Sequence, residues 1–290
     1  MKLHMKRSRL KLRNCYIFDA ERLSREREGA MKIELLIATM QQADHSLLEK
    51  MNVQTDALVV NQCDRESREA FSFRNHSIRF FSTRERGLSK SRNMALQNAT
   101  GEYLILADDD IVYVDGYAEK VLDAFSRFPE ADIVAFQTLA VDYGDRKVAQ
   151  NSVREGKAPR RKLYNSVRLV MRKSAIEKAG LRFHELFGAG AKYHCGEDTL
   201  FVKEAKKSGL RIYESKEIIA TVSFSESSWF HGYTEGFFFD KGAWLACAYP
   251  RTAGLMKYYF VLRLWKKTPL SVRQQCRAMN RGIKDYKDQL

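Results

Sequence analysis

Hydrophobic residues fall into short runs that alternate with amphipathic stretches. The runs at 32–38 (KIELLIA), 57–60, 77–81, 103–107 and 131–139 (ADIVAFQTL) are bounded by polar or glycine positions. Runs of this length predict buried strands, and 163–170 is strand-like as well. Helical spacing appears between them. Residues 46–51 begin a helix, and a glycine turn at Gly87 opens another that runs to about Ala99. Val114, Tyr117, Ala118, Val121, Leu122, Phe125 and Phe128 recur on one helical face, with Pro129 as the stop. Shorter helices are predicted at 173–179, closed by Gly180, and from Glu197 to about Ser208. Strands alternating with helices and ending in polar residues predict an α/β domain, with a mostly parallel sheet and a ligand site at the carboxyl ends of its strands.

The pattern changes at both ends. Residues 1–29 are mostly Lys, Arg and Glu, with one apolar patch at 15–18. The basic half, 2–13, reads as a solvated tail, with anionic lipid as the alternative contact. Residues 236–290 begin with many aromatics and end in a polar, basic segment, 271–290, predicted helical. Residues 255–265 are apolar on most faces but too short to span a bilayer. Two expectations stand: a helix packed on the domain, or one lying in a membrane interface. The chain thus divides into an appendage at 1–29, a catalytic-type domain at 30–235 and an aromatic, basic helical extension at 236–290.

The chain has 290 residues, 44% of them hydrophobic, enough for a substantial core. A net charge of +14 favours anionic partners: phosphate-bearing substrates, an anionic membrane surface or nucleic acid. No nucleic-acid-binding signature supports the last. Five cysteines with no Cys-x-x-Cys pair argue against a disulfide framework or a zinc ribbon and fit a cytoplasmic, reducing setting, with the inner face of the cell membrane as an alternative address. The basic start lacks the apolar core of a secretory signal.

Chemistry concentrates in two places. The strand at 103–107 ends in Asp108, Asp109 and Asp110. Adjacent carboxylates repel, and a hard cation such as Mg²⁺ or Mn²⁺ offsets that while leaving positions open for phosphate oxygens. A solvated acidic turn is the plain alternative. Just upstream, Lys90 and Arg92 offer positive charge to an anionic ligand. The second place is 187–201, where glycine-rich steps lead into Glu197-Asp198 at the start of a helix. The helix dipole there favours carboxylate ions. His184 and His194 lie nearby without the further ligands that zinc needs. Neither a dinucleotide-binding G-x-G-x-x-G nor a P-loop is present.

Gly87, Ser91-Arg92-Asn93, Gly101-Glu102-Tyr103 and Asp108-Asp109-Asp110, in that order and spacing, resemble the core signature of family 2 glycosyltransferases. The resemblance extends over roughly 32–244. It implies a GT-A-type fold and inverting transfer of a sugar, a hexosyl group, from a nucleoside diphosphate donor to a hydroxyl acceptor. A UDP-sugar is the favoured donor, and a glycan or lipid-linked acceptor of bacterial surface polysaccharide or glycolipid assembly is the implied partner. Asp198 becomes the catalytic base, with Glu197 shaping the acceptor site. Asp110 and Asp108 become the metal ligands. Thr39, Asp64, Lys90, Arg92, Asp108 and Asp109 are implied to meet the nucleotide-sugar. Many members carry Asp-Asp-Gly-Ser after the second strand; this chain has Asn61-Gln62-Cys63-Asp64, so Asn61 or Gln62 is the alternative base contact. Relatives place a metal-binding histidine before a Ser-Ser/Thr-Trp segment; here His231 follows Trp229. Two other classes fit parts of the pattern. A non-catalytic basic module would use the charge, and a metal-dependent phosphoesterase or nucleotidyltransferase would use the aspartates without needing Glu197-Asp198.

Overall fold

The computed structural model describes residues 32–141, 153–223 and 232–290. The readings made for 1–29, His231 and the Ser-Ser-Trp segment lie outside them, as do residues 142–152.

Among the described residues, ten strands form one sheet: β1 (Ile33–Met40), β2 (Asp56–Gln62), β3 (Ser67–Phe73), β4 (His76–Thr83), β5 (Tyr103–Asp108), β6 (Ile111–Tyr113), β7 (Ile133–Val141), β8 (Gly156–Lys157), β9 (Leu169–Arg172) and β10 (Ile212–Ser223). Their order is β3-β4-β2-β1-β5-β9-β7-β10-β6, with β8 paired to β10. The half built on β4, β2, β1 and β5 is parallel. Antiparallel β9 joins it to the parallel pair β7–β10. The helices are α1 (Leu47–Lys50), α2 (Leu88–Asn98), α3 (Tyr117–Arg127), α4 (Lys173–Lys178), α5 (Glu197–Lys207), α6 (Glu235–Ala248), α7 (Ala253–Leu264) and α8 (Val272–Lys287).

The central strands are largely apolar because both their faces are covered. On β1, Leu35 and Ile37 pack with Val121 and Phe125 of α3, whereas Leu36 belongs to the opposite layer with Ala95 of α2 and Phe201 of α5. Glu34 interrupts the apolar run of β1 yet is buried. Its carboxylate accepts from the Thr100 and Gly101 amides at 2.6 and 2.8 Å and meets Arg79 at 2.5 Å. A buried charge is tolerated when it is paired and hydrogen-bonded in this way.

Helices α6, α7 and α8 share a third cluster with Phe187, Tyr193 and Leu200 of the catalytic-type domain. Two glycines allow α6 and α8 to touch through their backbones. A Cβ at Gly242 would lie 2.2 Å from the Met279 carbonyl, and one at Gly282 would lie 1.9 Å from the Phe239 carbonyl.

The expected strand at 163–170 is shifted. Ser166–Arg168 forms a short 3₁₀ turn, and the strand begins at Leu169. One basic residue before it has a structural role. Lys162 pairs with buried Glu214 of β10. The Lys206 amine on α5 donates to the Pro159 and Arg160 carbonyls.

Candidate active site

Register brings polar residues together at one edge of the sheet. Thr39 on β1 lies beside Asn61 on β2, and Ala38 lies beside Asp108 on β5. Three strand ends therefore share a rim, as open α/β sheets do at their ligand crevices.

Thr39 and Asn61 are buried there. The Thr39 hydroxyl donates to Asp109 at 2.6 Å and accepts from the Gln42 side chain at 2.9 Å. Asn61 closes a reciprocal pair with the Gln42 backbone at 3.0 and 3.1 Å. Gln62 turns inward and accepts from the Gly87 amide at 2.6 Å, joining this rim to the start of α2. Asp64 is exposed, and Arg86 holds it at 2.5 Å. Lys90 lies half-buried in the first turn of α2, its side-chain carbons against Gly87.

Arg92 is the hub of the arrangement. It projects from α2, is 2% exposed and sits over the Phe183 ring. One guanidinium nitrogen donates to both Asp108 oxygens at 2.8 and 3.1 Å. The other donates to Asp198 at 2.8 Å and lies 3.6 Å from Glu197. Burial opposes its charge, but Asp108, Asp198 and Glu197 outweigh that and raise its pKa above the usual arginine value. Arg92, expected to meet the nucleotide-sugar, is brought into contact with both acidic motifs. Buried and occupied by carboxylates, it is an internal bridge between the two acidic motifs.

Burial also acts on the carboxylates. It pushes Asp108 above its usual range against the pull of Arg92, with Asp198 and Asp109 adding to the rise. Glu197 is pushed up to about 7, first by burial and then by Asp198, while Arg92 pulls the other way. Asp198 is about one-fifth exposed, so its carboxylate keeps contact with solvent.

Metal binding was expected at Asp110 and Asp108. Among the described residues no group of three or more His, Cys, Asp and Glu side chains is arranged to hold an ion. Asp108, Asp109 and Asp110 all lie half-buried at the end of β5, with Asp108 also engaged by Arg92. A cation that takes most of its ligands from water and phosphate needs only one or two carboxylates, and this donor set fits that need.

The helix carrying Glu197 and Asp198 is held from behind by the C-terminal extension. Gly196 caps α5 with φ +108°, and a Cβ there would come within 2.4 Å of Trp244. The Trp244 indole donates to Thr199 at 2.9 Å. Exposed His194 is fixed by buried Asp240 at 3.0 Å, and the Tyr193 hydroxyl donates to Asp285 at 2.7 Å. Trp244, Asp240 and Asp285 have no local signal near the acidic motif. Only the aromatic character of the segment around Trp244 hinted at packing.

The family model described as glycosyl transferase family 2 matches residues 38–181. This chain belongs to that family. The match includes Arg92 and the aspartates and stops short of Glu197 and Asp198. This glycosyltransferase resembles S. aureus TarS 1-349, with a TM-score of 0.56 at 13% identity over 90% of this chain and 92% of that one. TarS 1-349 in complex with UDP-GlcNAc gives 0.57 at 13% over 89% and 92%. The form in complex with UDP gives 0.56 at 13% over 90% and 92%. Likeness at that identity speaks for the fold, which is of the GT-A type. No curated protein sequence matches.

Proposed function

We propose that this glycosyltransferase moves a hexosyl group from a UDP-sugar to a hydroxyl of a glycan or lipid-linked glycan, of the kind assembled into bacterial surface polysaccharide or glycolipid, with inversion at the anomeric carbon. The observation that carries the reading is Arg92, which sets Asp198 beside the rim of Thr39, Asn61 and the aspartates. A donor on that rim would present its anomeric carbon towards Asp198. Asp198 takes the proton of the acceptor hydroxyl as that oxygen bonds to the anomeric carbon. The bond from that carbon to the diphosphate oxygen breaks, and the diphosphate leaves with the electron pair. Asp is a weak base at neutral pH, so its contribution comes from position as much as from basicity. Glu197 lines the acceptor side. Thr39, Asp64 and either Asn61 or Gln62 supply polar groups for the base and ribose, Asp109 faces the nucleotide-sugar, and Asp110 with Asp108 would hold Mg²⁺ or Mn²⁺. When bound, that cation neutralises the diphosphate and the charge that develops on it.

The test joins binding to turnover. UDP, GDP, CMP and dTDP are compared by thermal shift with and without Mn²⁺, and UDP release from UDP-GlcNAc is followed for wild type and Asp198→Asn. A Mn²⁺-dependent shift with UDP is expected, because a ligand selective for the folded state raises its stability by mass action. Asp198→Asn should keep that shift while kcat falls about 10²-fold or more. Undiminished turnover in the variant removes Asp198 as base. The absence of a shift with every nucleotide returns the chain to a non-catalytic basic module.

A further inference from the structure

The outward side of α7 carries a stripe that nothing covers among the described residues. Leu255, Tyr258, Tyr259, Leu262 and Trp265 are 73%, 51%, 52%, 72% and 55% exposed. Steps of three and four residues put them on one face of the helix. The opposite side is satisfied by the protein, with Ala253, Val261 and Leu264 buried in the third cluster. Single exposed apolar residues are ordinary, but five large ones in a row along one helix mark a contact surface.

Charge identifies the contact. From Lys241 to Lys284 the sequence holds ten Lys and Arg and no Asp or Glu. Arg251, Arg263, Lys266 and Lys267 are exposed beside the stripe. We infer that the outward face of α7 lies in the headgroup region of an anionic lipid bilayer. Leu255 and Leu262 reach the acyl boundary, Tyr258, Tyr259 and Trp265 sit at headgroup depth, and the basic residues meet lipid phosphates. Among the described residues no helix is long and apolar enough to cross a membrane, so the contact is interfacial. A second copy fits less well, because a symmetric contact through this stripe would bring two basic borders together. Nucleic acid fits less well too, because Leu255 and Leu262 offer bases no ring to stack on. The inference rests on α7 alone and stands whether or not Asp198 transfers a sugar.

The full chain is mixed with vesicles of phosphatidylcholine, with and without phosphatidylglycerol, and bound protein is measured by sedimentation at low and high salt. Tryptophan emission is recorded in parallel. Binding to the anionic vesicles, weakened by salt and accompanied by a blue shift that Trp265→Phe abolishes, is expected. The double variant Leu255→Gln/Leu262→Gln should lose about tenfold or more in partitioning, with melting temperature and UDP shift unchanged. Three results overturn the inference: no binding to anionic vesicles; equal binding by the double variant, which assigns the contact to basic charge elsewhere; or a dimer that the double variant turns into monomer, which gives the stripe to a second copy.

Discussion

Glu197 sits between a second carboxylate and a buried guanidinium, where little water reaches it. Its pKa rises from 4.5 to about 7, so the folded chain holds a proton that the unfolded chain has already released. Stability of the ligand-free protein should therefore fall as pH rises from 4.5 to about 7 and stay reduced above that. Glu197→Gln removes the effect. Urea denaturation should find the variant more stable than wild type at pH 8, by something on the order of 1 kcal/mol or more, with the two converging at pH 4. Parallel stability curves across that range would show that Glu197 ionises as readily folded as unfolded. Identifying the acidic motif needed only adjacent letters in the sequence. Its elevated proton affinity comes first from burial that local pattern does not reveal and then from Asp198, and it persists against Arg92, more than a hundred positions away.

Packing of α6 on α8 depends on the missing side chains of Gly242 and Gly282. An alanine at 282 places its Cβ 1.9 Å from a carbonyl oxygen. The helices must then separate, and overpacking of this kind costs about 1–3 kcal/mol. That outweighs the gain of roughly 1 kcal/mol that alanine brings to a helix. Gly254 of α7 has open space around it and serves as the control. Gly282→Ala should lower the melting temperature, while Gly254→Ala should leave it unchanged or raise it; equal effects would mean that the crossing has slack. Elements with a clean local period, such as α3, were legible in the sequence. β10 was missed because Glu214, Ser215, Lys216 and Glu217 interrupt its apolar residues and its register against β7 shifts there. Glu214 is nonetheless buried, compensated by Lys162 from a distant loop. β3 escaped notice as an exposed edge strand with little apolar pattern.

At the scale of the molecule, the extension and the acidic motif form one mechanical unit. Trp244 packs on Gly196, and the cluster of Phe187, Tyr193 and Leu200 is completed by α6 and α8. A chain ending at Thr234 would expose those side chains, each worth about 1.5–3 kcal/mol when buried. Its melting temperature should drop by about 10 °C or more, with loss of sugar transfer. A truncated chain that melts like the full one would make the extension an independent domain. Composition anticipated the aromatic extension and its charge. Which of its faces looks inward is a tertiary fact, because α7 is apolar on two sides and periodicity alone cannot choose between them.

Arg92 has one more consequence, and it concerns measurement. Asp108 and Asp198 arrive from elements far apart in the chain, and each is bonded to a different nitrogen of the same guanidinium. That group is planar and its nitrogen spacing is fixed by covalent bonds. The interval between the two carboxylates is thus set by a gauge block of constant size, whatever small adjustments the surrounding loops make.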